Sequence, residues 1–243
     1  MKNIQKIFID SFGNFIKYRI LHMTIIIAIL FALAMGFFSD IDPLLFIFVS
    51  VFIFPVIMHS IILFIEREED SPLPKSLCKS KIHEVIIAKI LAAITLHLIP
   101  FILYLLIMLL VLNMNFSVIL FLLTYLLGLI MHVTVGLVIT IISKTHVKML
   151  LMYVGYIILF SFLPFISLMN YIPDSIQYLF IFSPAYLSGI LMQNIIFGYL
   201  YSDQLFVILA VILQVVFSGV LIWFIVRPFY QNHINKVCEI KHD

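Results

Sequence analysis

The sequence predicts an all-α, polytopic membrane protein with six transmembrane helices, and three observations support this. Apolar residues make up 64% of the 243 residues and charged residues only 11%. Long apolar stretches alternate with short polar breaks, and the basic residues gather at alternate breaks. A soluble domain averages about half apolar and about a quarter charged residues, and no interior of this size could hide the excess. The composition excludes disorder and collagen, and the net charge of +2 is too small to indicate a nucleic-acid partner.

Residues 1–19 precede the first apolar stretch and predict an amphipathic helix. At 100° per residue, one face carries six apolar side chains: Ile4, Ile7, Phe8, Phe12, Phe15 and Ile16. Lys2, Lys6, Asp10 and Lys17 lie opposite. We expect this helix to lie in the cytoplasmic interface, with its apolar face in lipid and its bases toward anionic headgroups. Two roles stay open for it: an orientation anchor for the first span, or a lever that moves with the bundle.

Six stretches are long enough to cross the bilayer as helices, since about 20 apolar residues cover about 30 Å of hydrocarbon. They are residues 20–38, 44–65, 85–112, 116–142, 149–169 and 205–226. The runs are continuous rather than alternating, which favours helices over barrel strands. The first is not a cleavable signal, because it begins only at residue 20 and no small-x-small site follows it.

The basic residues set the orientation of this bundle. All 14 fall on the side of the termini or at its border: Lys2, Lys6, Lys17, Arg19, Arg67, Lys75, Lys79, Lys81, Lys89, Lys144, Lys148, Arg227, Lys236 and Lys241. The opposite loops hold no base and four acids: Asp40, Asp42, Asp174 and Asp203. The positive-inside rule therefore predicts a multi-pass plasma-membrane protein with both termini in the cytoplasm.

The segment 170–204, between the fifth and sixth spans, is too apolar for an ordinary outer loop. Pro184 divides it into 175–183 and 185–201, and a proline inside a helix removes a hydrogen bond. We expect two short re-entrant helices that dip into the outer leaflet. The alternative is a further pair of spans, which would have to turn at Pro184 with too few residues.

The sequence lacks the parts of a membrane enzyme. It has no His-Glu-x-x-His zinc motif, and Cys78 and Cys238 are not spaced as metal ligands. His59, His97 and His132 lie inside predicted spans, where they are either a proton relay or neutral histidines bonded to a neighbouring helix. No phosphate-binding Gly-x-x-x-x-Gly-Lys-Ser/Thr loop is present. We therefore expect no catalytic residue, metal or cofactor in this chain, and ATP-driven work would need a separate subunit.

Residues 66–84 form the only dense charge cluster. Its first half is acidic and its second half basic, which makes the loop dipolar. It is either a solvated loop whose bases only set topology or a docking surface for a cytoplasmic protein.

The motif at this loop resembles that of the permeases of ABC type-2 exporters. Those permeases start their first cytoplasmic loop with an acidic-basic-acidic triplet, place a Glu some fifteen residues on, and a Lys five beyond it. Glu66-Arg67-Glu68, Glu84 and Lys89 match that spacing. Two departures stand out, since Asp70 occupies a usual Gly position and Cys78-Lys79 lacks the usual Ser-Pro or Thr-Pro step. They imply a docking helix of different shape or partner preference.

The resemblance implies a permease subunit that exports a hydrophobic or amphipathic substrate: a drug, a peptide antibiotic or a lipid-like molecule. Its partners would be a cytoplasmic P-loop ATPase and a second permease copy or a sister permease. The start of the loop would be coupled to that ATPase by Glu66, Arg67 and Glu68. The end of the loop would be coupled to it by Glu84 and Lys89. The alternative is a non-transporting membrane scaffold or sensor with the same six-span architecture.

Overall fold

The structure, a computed structural model, describes residues 2–38, 42–68, 80–168, 171, 178–198 and 204–239. All regular secondary structure in these ranges is helical, which confirms the predicted all-α class. Five helices are long and apolar enough to cross a membrane: Ile20–Phe37, Ile82–Val111, Val118–Ile142, His146–Leu168 and Leu205–Asn232. The chain therefore has the architecture of a polytopic membrane protein.

We number the α-helices along the chain. They are α1 (Lys2–Lys17), α2 (Ile20–Phe37), α3 (Pro43–Phe48), α4 (Phe54–Glu68), α5 (Ile82–Leu106), α6 (Val118–Ile142), α7 (His146–Tyr156), α8 (Leu163–Leu168), α9 (Pro184–Phe197), α10 (Gln204–Leu221) and α11 (Arg227–Glu239). π-helical turns join or extend several of them, at Val49–Ile53, Ile107–Val111, Ile157–Phe162 and Ile222–Val226, and a 3₁₀ helix covers Tyr178–Phe182.

The predicted second span, residues 44–65, differs from the other five. The chain is helical without a gap over residues 43–68, but the π turn Val49–Ile53 divides this run into α3 and α4. Neither α-helical part reaches the length of a span, although the whole run would measure about 39 Å at 1.5 Å per residue. A π turn inserts one extra residue per turn without changing hydropathy, so the apolar pattern does not reveal it.

The start of this helical run is fixed by its own sequence. The Asp42 carboxylate accepts a hydrogen bond of 2.8 Å from the backbone N–H of Leu44, and Pro43 occupies the first turn, where its missing N–H is not needed. Burial raises the pKa of the Asp42 carboxyl above its ordinary value, and the bond from Leu44 partly opposes that shift.

Helix α1 packs against the bundle as well as presenting an apolar surface. Ile7, Ser11 and Phe15, spaced four apart, are buried, and α1 packs along α5. Ile16, on the same predicted face, is exposed. One stripe of the predicted apolar face therefore contacts protein, and contact of the rest of that face with lipid stays a prediction.

A close backbone contact joins α4 to α6. A side chain at Gly136 would place its Cβ 2.8 Å from the carbonyl oxygen of Val56, so only glycine permits this approach. The Ser60 hydroxyl lies 3.0 Å from the carbonyl of Gly136, and the Thr140 hydroxyl lies 3.1 Å from the carbonyl of Ser60. Small residues and interhelical hydrogen bonds are the usual means of joining helices within a membrane. This crossing fixes α4, and hence the residues at its C-terminal end.

Between α8 and α10, the structure has the 3₁₀ helix and α9 in place of further spans. Pro184 starts α9 rather than interrupting it, and the Ser183 hydroxyl accepts a hydrogen bond of 3.1 Å from the N–H of Tyr186. With 14 residues, α9 is too short to cross the hydrocarbon. Its residues Ala185, Leu187 and Met192 are fully buried. The predicted re-entrant path depends on 172–177 and 199–203, which lie outside the described residues.

Candidate functional site

Two of the predicted coupling residues form an ion pair. Glu66 lies in the last turn of α4 and Lys89 two turns into α5, on either side of residues 69–79, which lie outside the described residues. The Lys89 Nζ lies 2.5 Å from the Glu66 Oε2. The side chains are only 17% and 20% exposed, respectively. The pair thus ties together the two helix ends from which the loop emerges.

The second oxygen of Glu66 binds a third element. The Asn14 side-chain amide of α1 donates a hydrogen bond of 2.8 Å to the Glu66 Oε1. Both carboxylate oxygens are therefore occupied, one by the ammonium group of Lys89 and the other by the amide of Asn14. One side chain consequently connects α1, α4 and α5.

The helix α11 completes the surroundings of this pair. Tyr230 is buried, and its hydroxyl is close enough to both Lys89 and Glu66 to interact with them electrostatically. Tyr230 belongs to a buried apolar cluster that contains Leu63 of α4, Val85 of α5 and further side chains of α1, α6 and α11. We call the set Asn14, Glu66, Lys89 and Tyr230 the anchor cluster.

The apolar surroundings determine what the anchor cluster can do. A partly buried ion pair gains attraction in a low dielectric but loses hydration, so it contributes less to net stability than its short distance suggests. Such pairs serve best to fix which groups meet, because leaving either charge alone is costly. The anchor cluster therefore fixes the register of α1, α4 and α5.

The other predicted coupling residues lie apart from this pair. Glu84 closes the first turn of α5: its carboxylate accepts a hydrogen bond of 3.0 Å from the N–H of Lys81. It thus organises the return of the loop without contacting Glu66. Arg67 and Glu68 belong to the last turn of α4, but their side chains lie outside the described residues. Asp70 and Cys78 also lie outside them.

Sequence reasoning missed two members of the anchor cluster. Asn14 and Tyr230 come from opposite ends of the chain, and neither belongs to the loop motif. The position of Asn14 on α1 offered a weak signal, since a polar side chain next to the apolar face marks the border of a packed stripe. Tyr230 offered none, because aromatic residues just beyond a span, here Phe229 and Tyr230, are typical of a membrane interface.

The three intramembrane histidines are buried but do not form one chain. His59 and His97 pack edge to face, with ring centroids 5.6 Å apart, and Phe15 contacts His59 in the same manner. His132 contacts the carbonyl of Gly128, 2.7 Å away in its own helix. Among the described residues, no group of three His, Cys, Asp or Glu side chains could hold a metal ion.

Within the described bundle, the buried polar side chains other than tyrosine are uncharged: Ser, Thr, His and Gln. Gln214 is fully buried on α10, and Ser218 of the same helix contacts the Met131 sulfur at 3.1 Å. The loop predicted to be the second cytoplasmic one offers little by comparison, since Lys144 and Lys148 are simply exposed.

Comparison of the chain with protein-family models, with curated proteins and with solved structures finds no match. The class of protein that the described helices define is a multi-helix membrane protein, with an anchor cluster where the first and last helices meet the ends of α4 and α5.

Proposed function

We propose that this chain is the membrane-spanning permease subunit of an ATP-binding cassette exporter, driven by a separate cytoplasmic ATPase. The observation that carries the proposal is the Glu66–Lys89 ion pair, which lies at the base of the loop that resembles the ATPase-docking loop of such permeases. Both termini would be cytoplasmic, and residues 43–68 would form the second of six spans.

The anchor cluster suits the transmission of movement. A push on residues 69–79 acts on the ends of α4 and α5, which Glu66 and Lys89 hold together. Because Asn14 shares the same carboxylate, α1 would move with them. Arg67 and Glu68, which continue the motif, would then contact the ATPase, and their charges would set its register more than its affinity.

The cargo would be hydrophobic or amphipathic. Apart from the partly buried Glu66–Lys89 pair, the buried polar side chains among the described residues are uncharged. This supports the proposed cargo, since a polyanion or polycation would need opposite charges along its path. A second permease, either a copy or a sister chain, would complete the pathway, with two ATPase subunits beneath.

The first experiment is co-purification of the tagged chain with the P-loop ATPase encoded next to it, followed by ATPase assays with amphipathic compounds. We expect a complex whose ATP hydrolysis rises with a subset of those compounds. Glu68→Ala should abolish that stimulation while leaving membrane insertion intact. Lys144→Ala is the matched control, because it removes one exposed charge from the other cytoplasmic loop.

Two results would overturn the proposal. One is the absence of any associating ATPase, which would favour a membrane scaffold or sensor. The other is equal stimulation in Glu68→Ala, Lys144→Ala and the unmodified protein, which would show that the loop does not couple.

A further inference from the structure

A small polar cavity lies inside the bundle, away from the anchor cluster. It is bounded by α2, by the π turn Val49–Ile53 and by α5. Its lining mixes four polar side chains with apolar ones; the polar members are Thr24, Ser50, His97 and Tyr104. Its volume is about 10 Å³.

Three of these polar side chains are buried without a hydrogen-bond partner among the described residues. The exposed fractions are 6% for Thr24 and 1% each for His97 and Tyr104. The Thr24 hydroxyl and both ring nitrogens of His97 lack partners in that part of the chain, and the Tyr104 hydroxyl makes no hydrogen bond there by distance and angle, although the Ser50 side chain lies close to it. Ser50 is different, since its hydroxyl donates a hydrogen bond of 3.1 Å to the carbonyl of Ile47.

Such groups are costly to leave unpaired. A buried donor or acceptor without a partner costs about 1–3 kcal/mol, and nothing in hydrocarbon can replace the lost bond. Three unpaired side chains around one cavity therefore point to an additional hydrogen-bonding partner.

The size and chemistry of the cavity identify that partner. A single water molecule needs roughly 10–15 Å³ and two to four polar neighbours. Water can both donate to a histidine nitrogen and accept from a hydroxyl, whereas a buried ion at this place would have no opposite charge beside it to offset its lost hydration. The polar members of this lining are neutral hydroxyl and imidazole groups.

We infer that this cavity is a water-binding site inside the membrane-spanning bundle, in which one water molecule bridges Thr24, His97 and Tyr104. The water joins α2 to α5 beside the π turn that carries Ser50. These helices are thus connected through an exchangeable molecule rather than by direct side-chain bonds. Because water can leave and re-enter, the helices can shift relative to one another without breaking a fixed bond.

X-ray radiolytic footprinting tests this inference on the full chain in lipid nanodiscs. Radiolysis converts a bound water into a hydroxyl radical that oxidises the side chain next to it. Tyr125 is the internal control, because it is equally buried and its hydroxyl already donates to the carbonyl of His97, at 2.5 Å. We expect Tyr104 to be oxidised several-fold faster than Tyr125.

Isosteric variants then test the ligands of the water. Thr24→Val should reduce the oxidation of Tyr104 to the rate of Tyr125. Thr134→Val is the matched control, because the Thr134 hydroxyl is bonded to the carbonyl of Ile130 in its own helix and does not line the cavity. If Thr24→Val does not fold, Tyr104→Phe with oxidation of His97 as the readout replaces it, and a fall is again expected.

Equal oxidation of Tyr104 and Tyr125 in the unmodified protein would overturn the inference. An unchanged oxidation rate in a folded cavity variant, Thr24→Val or Tyr104→Phe, would also overturn the inference, because the water would then not depend on the residues that we assign to it.

Discussion

Glu66 has the densest set of interactions of the predicted coupling residues. Its carboxylate binds Lys89 and Asn14 at once, through different oxygens. A substitution at this position therefore acts on three helices, and its effect on coupling must be separated from its effect on folding. Substitutions at Glu66, Lys89 and Asn14 can separate the effect on coupling from the effect on folding, because each charge can be changed with little change in side-chain length.

Removing one partner of the ion pair should destabilise the fold. We expect Glu66→Gln or Lys89→Met each to cost about 2 kcal/mol, since each leaves a partly buried charge unpaired. The double variant should cost clearly less than the sum of the single costs, because it removes both charges. Thermal unfolding in detergent measures the three values, and additive effects would contradict a direct pair.

Asn14 should control the attachment of α1. Asn14→Asp places a second carboxylate beside Glu66, so we expect repulsion to loosen α1 from the bundle. A cysteine at the buried position Ser11 reports this as faster reaction with a soluble maleimide. Gln5→Glu adds the same charge to the exposed side of α1 and should leave the reaction rate unchanged. Equal rates in the two variants would argue against the Asn14–Glu66 contact.

At this scale, the sequence predicts one half of the anchor cluster and not the other. Glu66 and Lys89 belong to one motif with fixed spacing, so their relation is visible along the chain. The hydrogen bond from Asn14 to Glu66 and the electrostatic interaction of Tyr230 with the pair arise from tertiary packing between residues more than fifty and more than a hundred positions apart, which no local pattern encodes.

Among the elements, the α4–α6 crossing positions the cluster. Gly136 allows the backbone of α6 to approach Val56, and Ser60 and Thr140 supply the hydrogen bonds across the contact. Hydropathy predicts both helices because it measures only how apolar they are. It does not reveal which helices touch, since lipid and protein neighbours favour similar apolar side chains.

Gly136→Ala should therefore push α4 and α6 apart. Its Cβ would meet the backbone of Val56, which cannot move as a side chain can, and we expect a loss of about 1–3 kcal/mol. Gly155→Ala is the matched control on α7, because a Cβ there meets nothing within 4 Å. Because alanine has a higher helix propensity than glycine, Gly155→Ala should leave the stability of the protein equal or slightly higher. Detergent-based thermal unfolding compares the two, and similar losses would contradict the close contact.

For the whole molecule, the charge pattern predicts an orientation, and the structure shows which helix ends lie together. The bases predict which ends of the bundle are cytoplasmic, and the anchor cluster brings α1, α4, α5 and α11 together at one of those ends. Arg227 lies 4.2 Å above the ring of the exposed Trp223 at the same end of the last long helix, an arrangement typical of a membrane interface.

The decisive test of the topology is whether residues 43–68 cross the membrane. In a six-span protein, Phe38 and Tyr171 lie outside and Lys144 lies inside, whereas loss of this crossing puts Phe38 and Lys144 on the same side. All three are exposed in the structure. Single cysteines at these positions, in a chain whose Cys78 and Cys238 are replaced by Ser, can be labelled in intact cells with an impermeant maleimide. We expect labelling at 38 and 171, and at 144 only after the cells are permeabilised. Labelling of both 38 and 144 in intact cells would exclude the second span, because the two positions would then lie on the same side and an even number of crossings would separate them.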